Sequence, residues 1–175
     1  TFGHKLVADF RKISRKFFDV HLMITEPEKV IGLYLDAGAD LITFHLEATE
    51  MAEEIIREVH DRGKKEGISI KTNTLTDGLL PYLPRVDLVL IMTVEPGFGG
   101  QKLIEKTRDK INLLARYRDK HQLRFLIQAD GGINKENLPD LFQRGMEVAV
   151  IGSAFFKYGS VQEAAQVFQS TIRQG

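Results

Sequence analysis

Six times along the 175 residues, a short and nearly continuous apolar run is followed by a segment with helical spacing. The runs cover residues 17–24, 39–45, 67–71, 86–92, a stretch ending at Asp130, and 148–151. Strands that are apolar at successive positions are buried on both faces, and the helices between them supply the cover. The cadence therefore implies an α/β domain with a parallel sheet. Helices are expected after Thr25, over 51–62, over 102–119, over 135–144 and over 161–172, with a weak one at 77–83 broken by Gly78 and Pro81. Thr25 and Glu28 have the spacing of a capping box, and Gly38 and Gly63 stop the helices before them. An amphipathic segment carrying Leu6, Val7, Phe10 and Ile13 precedes the first strand.

A parallel sheet of this kind is either open and doubly wound or closed into a barrel. The dinucleotide fingerprint G-x-G-x-x-G is missing from the strand-to-helix turns, and Gly97-Phe98-Gly99-Gly100 is only a partial look-alike. Polar residues stand at the ends of several strands (His21, His45, Asp130, Ser153) and not at one crevice. A site assembled from the carboxyl ends of many strands belongs to a (β/α)8 TIM barrel.

Charge and composition narrow the partners. The 24 basic and 24 acidic residues balance, so no global field points to nucleic acid or a membrane surface. With no cysteine, disulfides and thiolate metal sites are excluded. No apolar run approaches the roughly 20 residues of a membrane span. The expectation is one soluble, cytoplasmic domain over residues 1–175.

Two strand-to-loop junctions stand out. Asp130-Gly131-Gly132 follows one apolar run, and Gly152-Ser153 follows the next. Backbone N–H groups bared by glycine at adjacent junctions form an anion cradle, and the last two junctions of a barrel are its usual phosphate site. Asp130 also fits a helix N-cap or turn. Gly97 to Gly100 fit either a lid over a ligand or a Pro-Gly turn. Met23 and Met92, taken alone, fit plain core.

The motifs together resemble the ribulose-phosphate 3-epimerase family. Asp19-Val20-His21-Leu22-Met23, Thr43-Phe44-His45-Leu46-Glu47, the block from Met92 to Lys102, Asp130-Gly131-Gly132-Ile133 and Gly152-Ser153-Ala154 follow its pattern in order. The resemblance implies metal-assisted epimerisation at C3 of a ketose phosphate, D-ribulose 5-phosphate to D-xylulose 5-phosphate, through an enediolate handled by two carboxylates. Asp130 is then one of the acid–base pair. His21 and Asp130 are ligands of one divalent ion (Zn, Fe, Mn or Co). Gly97, Phe98, Gly99 and Gly100 cover the substrate, Gly131, Gly132, Gly152 and Ser153 bind its phosphate, and Met23 and Met92 line the reacting centre. His45 matches no ligand position and is read as support, substrate contact or packing. A homo-oligomer, dimer or hexamer, is implied.

The chain departs from the pattern in three places. The family's first two strands, with a further metal histidine and the second aspartate, have no counterpart, so the expected barrel carries about six units, strands 3–8. Residues 71–76 stand where prolines are usual, and Gln128-Ala129 where Glu-Val is usual. The alternatives are a hexulose-phosphate 3-epimerase, or an inactive partial barrel that retains phosphosugar or partner binding.

Overall fold

The six apolar runs become six strands: β1 (Asp19–Leu22), β2 (Leu41–His45), β3 (Lys65–Ile70), β4 (Leu88–Met92), β5 (Leu126–Asp130) and β6 (Val148–Val150). They form one parallel sheet in chain order, each paired with its sequence neighbour. The computed structural model describes residues 3–95, 97 and 100–174. Its helices are α1 (His4–Ile13), α2 (Ile31–Asp36), α3 (Ala52–Asp61), α4 (Thr107–His121), α5 (Leu138–Gln143) and α6 (Val161–Gln174).

Side chains alternate across each strand and build two separate apolar layers. Ile42, Phe44, Ile68, Ile70, Val89, Ile91 and Ile127 join α3 and α4 residues such as Ile55, Val59, Ile111 and Leu114 in the main core. On the other face Leu41, Leu88, Leu90 and Met92 form a smaller cluster. Burial of each such side chain contributes about 1.5–3 kcal/mol.

The second face is concave. Gln128 on β5 donates its side-chain amide to Asp19 Oδ2 on β1 at 2.7 Å. Four strand spacings, about 19 Å in a flat sheet, separate those strands. The contact closes only if the sheet curls, with Asp19, His21, Gln128 and Asp130 facing inward. The result is a partial (β/α)8 barrel.

Several local expectations are corrected. Residues 17–24 and 148–151 were expected to be buried strands, yet β1 and β6 are the two edges of the sheet. Each has one neighbour, so Phe17 stays 59% exposed and Val150 37%. No capping box forms at Thr25: a 3-10 turn over Pro27–Lys29 comes first, preceded by Glu26 at φ 51°, and α2 begins only at Ile31. The weak helix at 77–83 is a 3-10 turn, Thr76–Leu79. The long helix starts at Thr107, not at 102, because residues 101–104 run as a connecting strap whose Ile104 N–H donates to Thr93 O at 2.8 Å. Gln128, one of the departures from the family pattern, ties two strands across the lumen.

α1 is fastened by one side chain. Arg11 donates to Gly38 O (3.0 and 2.6 Å) and pairs with Asp40 at 2.5 Å, with its guanidinium 3.8 Å above the Phe18 ring. Asp40 also accepts the Phe18 N–H at 2.9 Å.

Candidate active site at the carboxyl ends of the strands

Asp130 is the last residue of β5, and its place is set by the turn that follows. Thr93, just after β4, donates its N–H to Asp130 O at 2.9 Å. Its hydroxyl lies 2.9 Å from Asp130 O and 2.5 Å from Gly131 O, one proton shared between two carbonyls. Gly131 and Gly132 take φ +120° and +65°, the region that L side chains avoid. A β-carbon at Gly132 would lie 2.8 Å from Gln101 O and closer still to the Leu103 N–H. The turn is locked from outside by Asn137, which donates to Gly132 O at 2.9 Å and accepts the Asn134 N–H at 2.9 Å.

A cleft of about 530 Å³ opens at this end, lined by Met23, Met92, Gly97, Gly100, Asp130, Gly131, Gly132, Gly152 and Ser153, together with Val94, Glu95, Gln101, Ile133 and Val150. Nine residues singled out from the sequence thus share one mouth. Met92 is buried, whereas Met23 is half exposed. Phe98 and Gly99, also singled out, lie outside the described residues.

His21 lines the adjoining apolar groove of about 860 Å³, bounded by Leu6, Phe10 and Phe17, which meets the cleft at Met23, Asp130 and Val150. His21 Nδ1 lies 3.8 Å from Asp130 Oδ2, although 109 residues separate them. On its other side His21 Nε2 is 2.9 Å from His45 Nε2. The register explains this: His21 pairs with Thr43, and His45 stands two residues further along on the same inward face.

His45 is buried, and its Nδ1 faces Glu47 Oε2 at 3.6 Å. Glu47 accepts the Lys71 N–H at 2.8 Å and a short hydrogen bond from the Thr74 hydroxyl. Burial pushes the Glu47 carboxyl up, but the facing His45 ring and the hydrogen bonds from Thr74 and Lys71 outweigh it and hold the pKa at about 2. Lys110 Nζ donates to Lys71 O (2.9 Å) and Thr74 O (2.5 Å). The 71–76 loop, where the family pattern has prolines, is thus ordered by Glu47 and Lys110.

Sequence reasoning gave no role to Glu47, Thr93, Asn137 or Asp19. Burial raises the pKa of Asp19, opposed by its bond from Gln128 and by His21. Glu47 and Asp19 were visible as letters of strand-end motifs; what was missing was the curl that brings β1 and β5 together.

Among the described residues no group of three or more His, Asp or Glu is gathered to hold a metal ion. His21 and Asp130 do fit as two donors. Their 3.8 Å is too long for a hydrogen bond and close to the roughly 3.4 Å between two ligands of one tetrahedral ion.

Known proteins give the lineage. A sequence profile described as the Ribulose-phosphate 3 epimerase family matches residues 1–156. Ribulose-phosphate 3-epimerase of Treponema pallidum is 42% identical over 156 residues, covering 89% of this chain and 72% of the relative. The enzyme of that name from Eremothecium gossypii is 36% identical, covering 99% and 75%. In fold alone, the crystal structure of 3-keto-L-gulonate-6-phosphate decarboxylase from Vibrio cholerae superimposes with a TM-score of 0.77 at 17% identity, covering 98% of this chain and 79% of that one. Profile, relatives matched over most of their length and barrel geometry have one outcome: the chain belongs to the ribulose-phosphate 3-epimerase family, whose members are isomerases.

Proposed function

We propose that the chain acts on D-ribulose 5-phosphate and D-xylulose 5-phosphate, with Asp130 moving the proton at C3. The observation that carries this is the convergence of Asp130 and two glycine-rich turns on one mouth, with His21 in the adjoining groove 3.8 Å from Asp130. The proton of a carbon beside a ketone is removed only if a base is held against it and the developing oxyanion is stabilised. Asp130 is fixed by Thr93 and by the turn behind it, which sets the direction of its carboxylate. The amides of Gly131, Gly132, Gly152 and Ser153, with the Ser153 hydroxyl, supply donors for a phosphate dianion. Met23 and Met92 present apolar walls that keep water from the carbanion.

His21 and Asp130 would hold one divalent ion, of the zinc, iron, manganese or cobalt kind. Bound there, it would act as a Lewis acid that stabilises negative charge on the substrate oxygens. Inversion at C3 also needs an acid on the opposite face; the aspartate that the family pattern provides for this has no counterpart among these 175 residues. With two donors gathered where catalytic metal sites use three or more, and no larger group among the described residues, a second reading is binding of the phosphosugar without turnover.

One experiment separates the two. In the first reading the protein exchanges the C3 proton of D-xylulose 5-phosphate with D₂O in the presence of Mn²⁺, and Asp130→Asn lowers that exchange about 10²–10⁴-fold. The variant should retain the wild-type circular dichroism spectrum. Calorimetric binding of the sugar phosphate with no exchange by the wild type would support the binding-only reading. Near-normal exchange by Asp130→Asn would refute the role of that carboxylate.

A further inference from the structure

The inward face carries a row of four side chains in contact, running from Glu47 through His45 and His21 to Asp130. The separations are 3.6 Å, 2.9 Å and 3.8 Å. Two neutral imidazoles in such a row share one proton across the central 2.9 Å contact, so one ring donates and the other accepts. If His45 donates through Nε2, its Nδ1 is a bare lone pair facing the Glu47 carboxylate. If His21 donates, the lone pair is on His21 Nδ1 and faces Asp130.

The two ends differ in what they can tolerate. His45 Nδ1 is sealed from solvent and has no hydrogen-bond partner among the described residues. A bare lone pair there would be held against a carboxylate with nothing between them, and burial makes that repulsion costly. Glu47 is fixed in place by the Lys71 N–H and the Thr74 hydroxyl, so it cannot turn away. The other end opens onto the groove and the cleft, where Asp130 has 25% and His21 16% of its side chain exposed. Water or a cation can reach a lone pair there. The direction of the chain follows from this asymmetry.

We infer that Glu47 and His45 are positioning residues that fix the tautomer of His21. Glu47 keeps the proton on His45 Nδ1, the bare His45 Nε2 accepts from His21 Nε2–H, and the His21 Nδ1 lone pair is turned toward Asp130. His21 and Asp130 then present two electron-rich atoms to one point, which is what a divalent ion requires of neutral histidine and carboxylate ligands. The consequence for metal affinity rests on the function proposed above; the tautomer order does not.

The test uses the whole protein without metal, labelled with ¹⁵N at histidine, at a pH above 8. Long-range ¹H–¹⁵N correlation spectra are expected to show His45 protonated at Nδ1 and His21 at Nε2. The first is the diagnostic signal, since a free imidazole favours the Nε2–H form. In Glu47→Gln the His45 signal should shift to a mixture of tautomers, and Zn²⁺ affinity, measured against a chromogenic chelator, should fall about 10–100-fold. Glu47→Asp should restore part of both, which a merely structural contribution would not do. His45 found as Nε2–H, or both rings protonated at Nδ1, would overturn the inference. So would a Glu47→Gln protein, or Glu47→Ala if the first fails to fold, whose tautomers and Zn²⁺ affinity match the wild type within twofold. If the wild type shows the expected tautomers but takes up no Zn²⁺, the metal reading fails and the tautomer relay stands.

Discussion

The middle of the sheet and its margins have different jobs. β2 and β4 are buried at every position, and β3 at all but its first. β1 and β6 contain one fully buried residue between them, Leu22, and β5 is exposed at Leu126 and half-buried at Asp130. The polar groups of the mouth and its adjoining groove come mostly from those margins: His21 from β1, Asp130 from β5, Gly152 and Ser153 from the end of β6. From the middle come the wall, Met92, and the buried support, His45 and Thr93. A reacting group needs access to ligand and solvent, while the groups that aim it need to be held still; the sheet assigns the two requirements to different strands.

Four substitutions would break or sharpen that contrast. The largest effect is expected from Ile91→Ala in β4. Ile91 is inaccessible and central to the core, so its loss should lower the unfolding free energy by about 2–5 kcal/mol in urea titration. Val150→Ala in β6 should cost under about 1 kcal/mol by the same measurement, and an equal loss at both positions would erase the distinction. Next is Glu66 in β3, a carboxyl buried in the middle of the sheet with no hydrogen-bond partner for either oxygen among the described residues. Burial, and then the charge of Asp87, raise its pKa well above the ordinary 4.5. The folded protein therefore holds this proton more tightly than the unfolded chain, and stability falls as pH rises above 4.5 toward the folded-state value. Glu66→Leu should remove that dependence and stabilise the protein by about 1–3 kcal/mol at pH 8, with less gain at pH 5. A gain independent of pH in thermal melts would show that Glu66 does not titrate there. The smallest change is Ser153→Ala at the margin: KM for the sugar phosphate should rise several-fold, about 1 kcal/mol of lost hydrogen bonding, with melting temperature unchanged. An unchanged KM would remove the hydroxyl from the phosphate site.

The same contrast governs how much could be read from the sequence. The middle strands were legible because continuous apolar runs have one meaning when both faces are covered. Residues 148–151 carry an identical signature, yet Val150 is exposed, since composition does not record how many neighbours a strand has. Asp130 and the glycines were legible because a turn after a strand demands those residue types. Glu47 was not, and His45 only as one of three readings (support, substrate contact or packing), because their significance depends on the register that sets His45 beside His21 and on a curl that no local pattern encodes. The capping pattern at Thr25 failed for a similar reason: the chain enters α2 through Pro27 and a left-handed Glu26, and the Glu26 N–H is taken by Ala48 O from the neighbouring loop.

The bridge from Gln128 to Asp19 also bears on how the curvature responds to acidity. An amide cannot lose the hydrogen it offers, so this crossbar between opposite walls keeps its donor at any pH the protein meets. The glutamate usual at that position in the family would oppose carboxyl to carboxyl, and the span would hold only while the pair shared a proton. With an amide there, the donor half of the bridge behind His21 and Asp130 is insulated from the protons that the chemistry above it would pass back and forth.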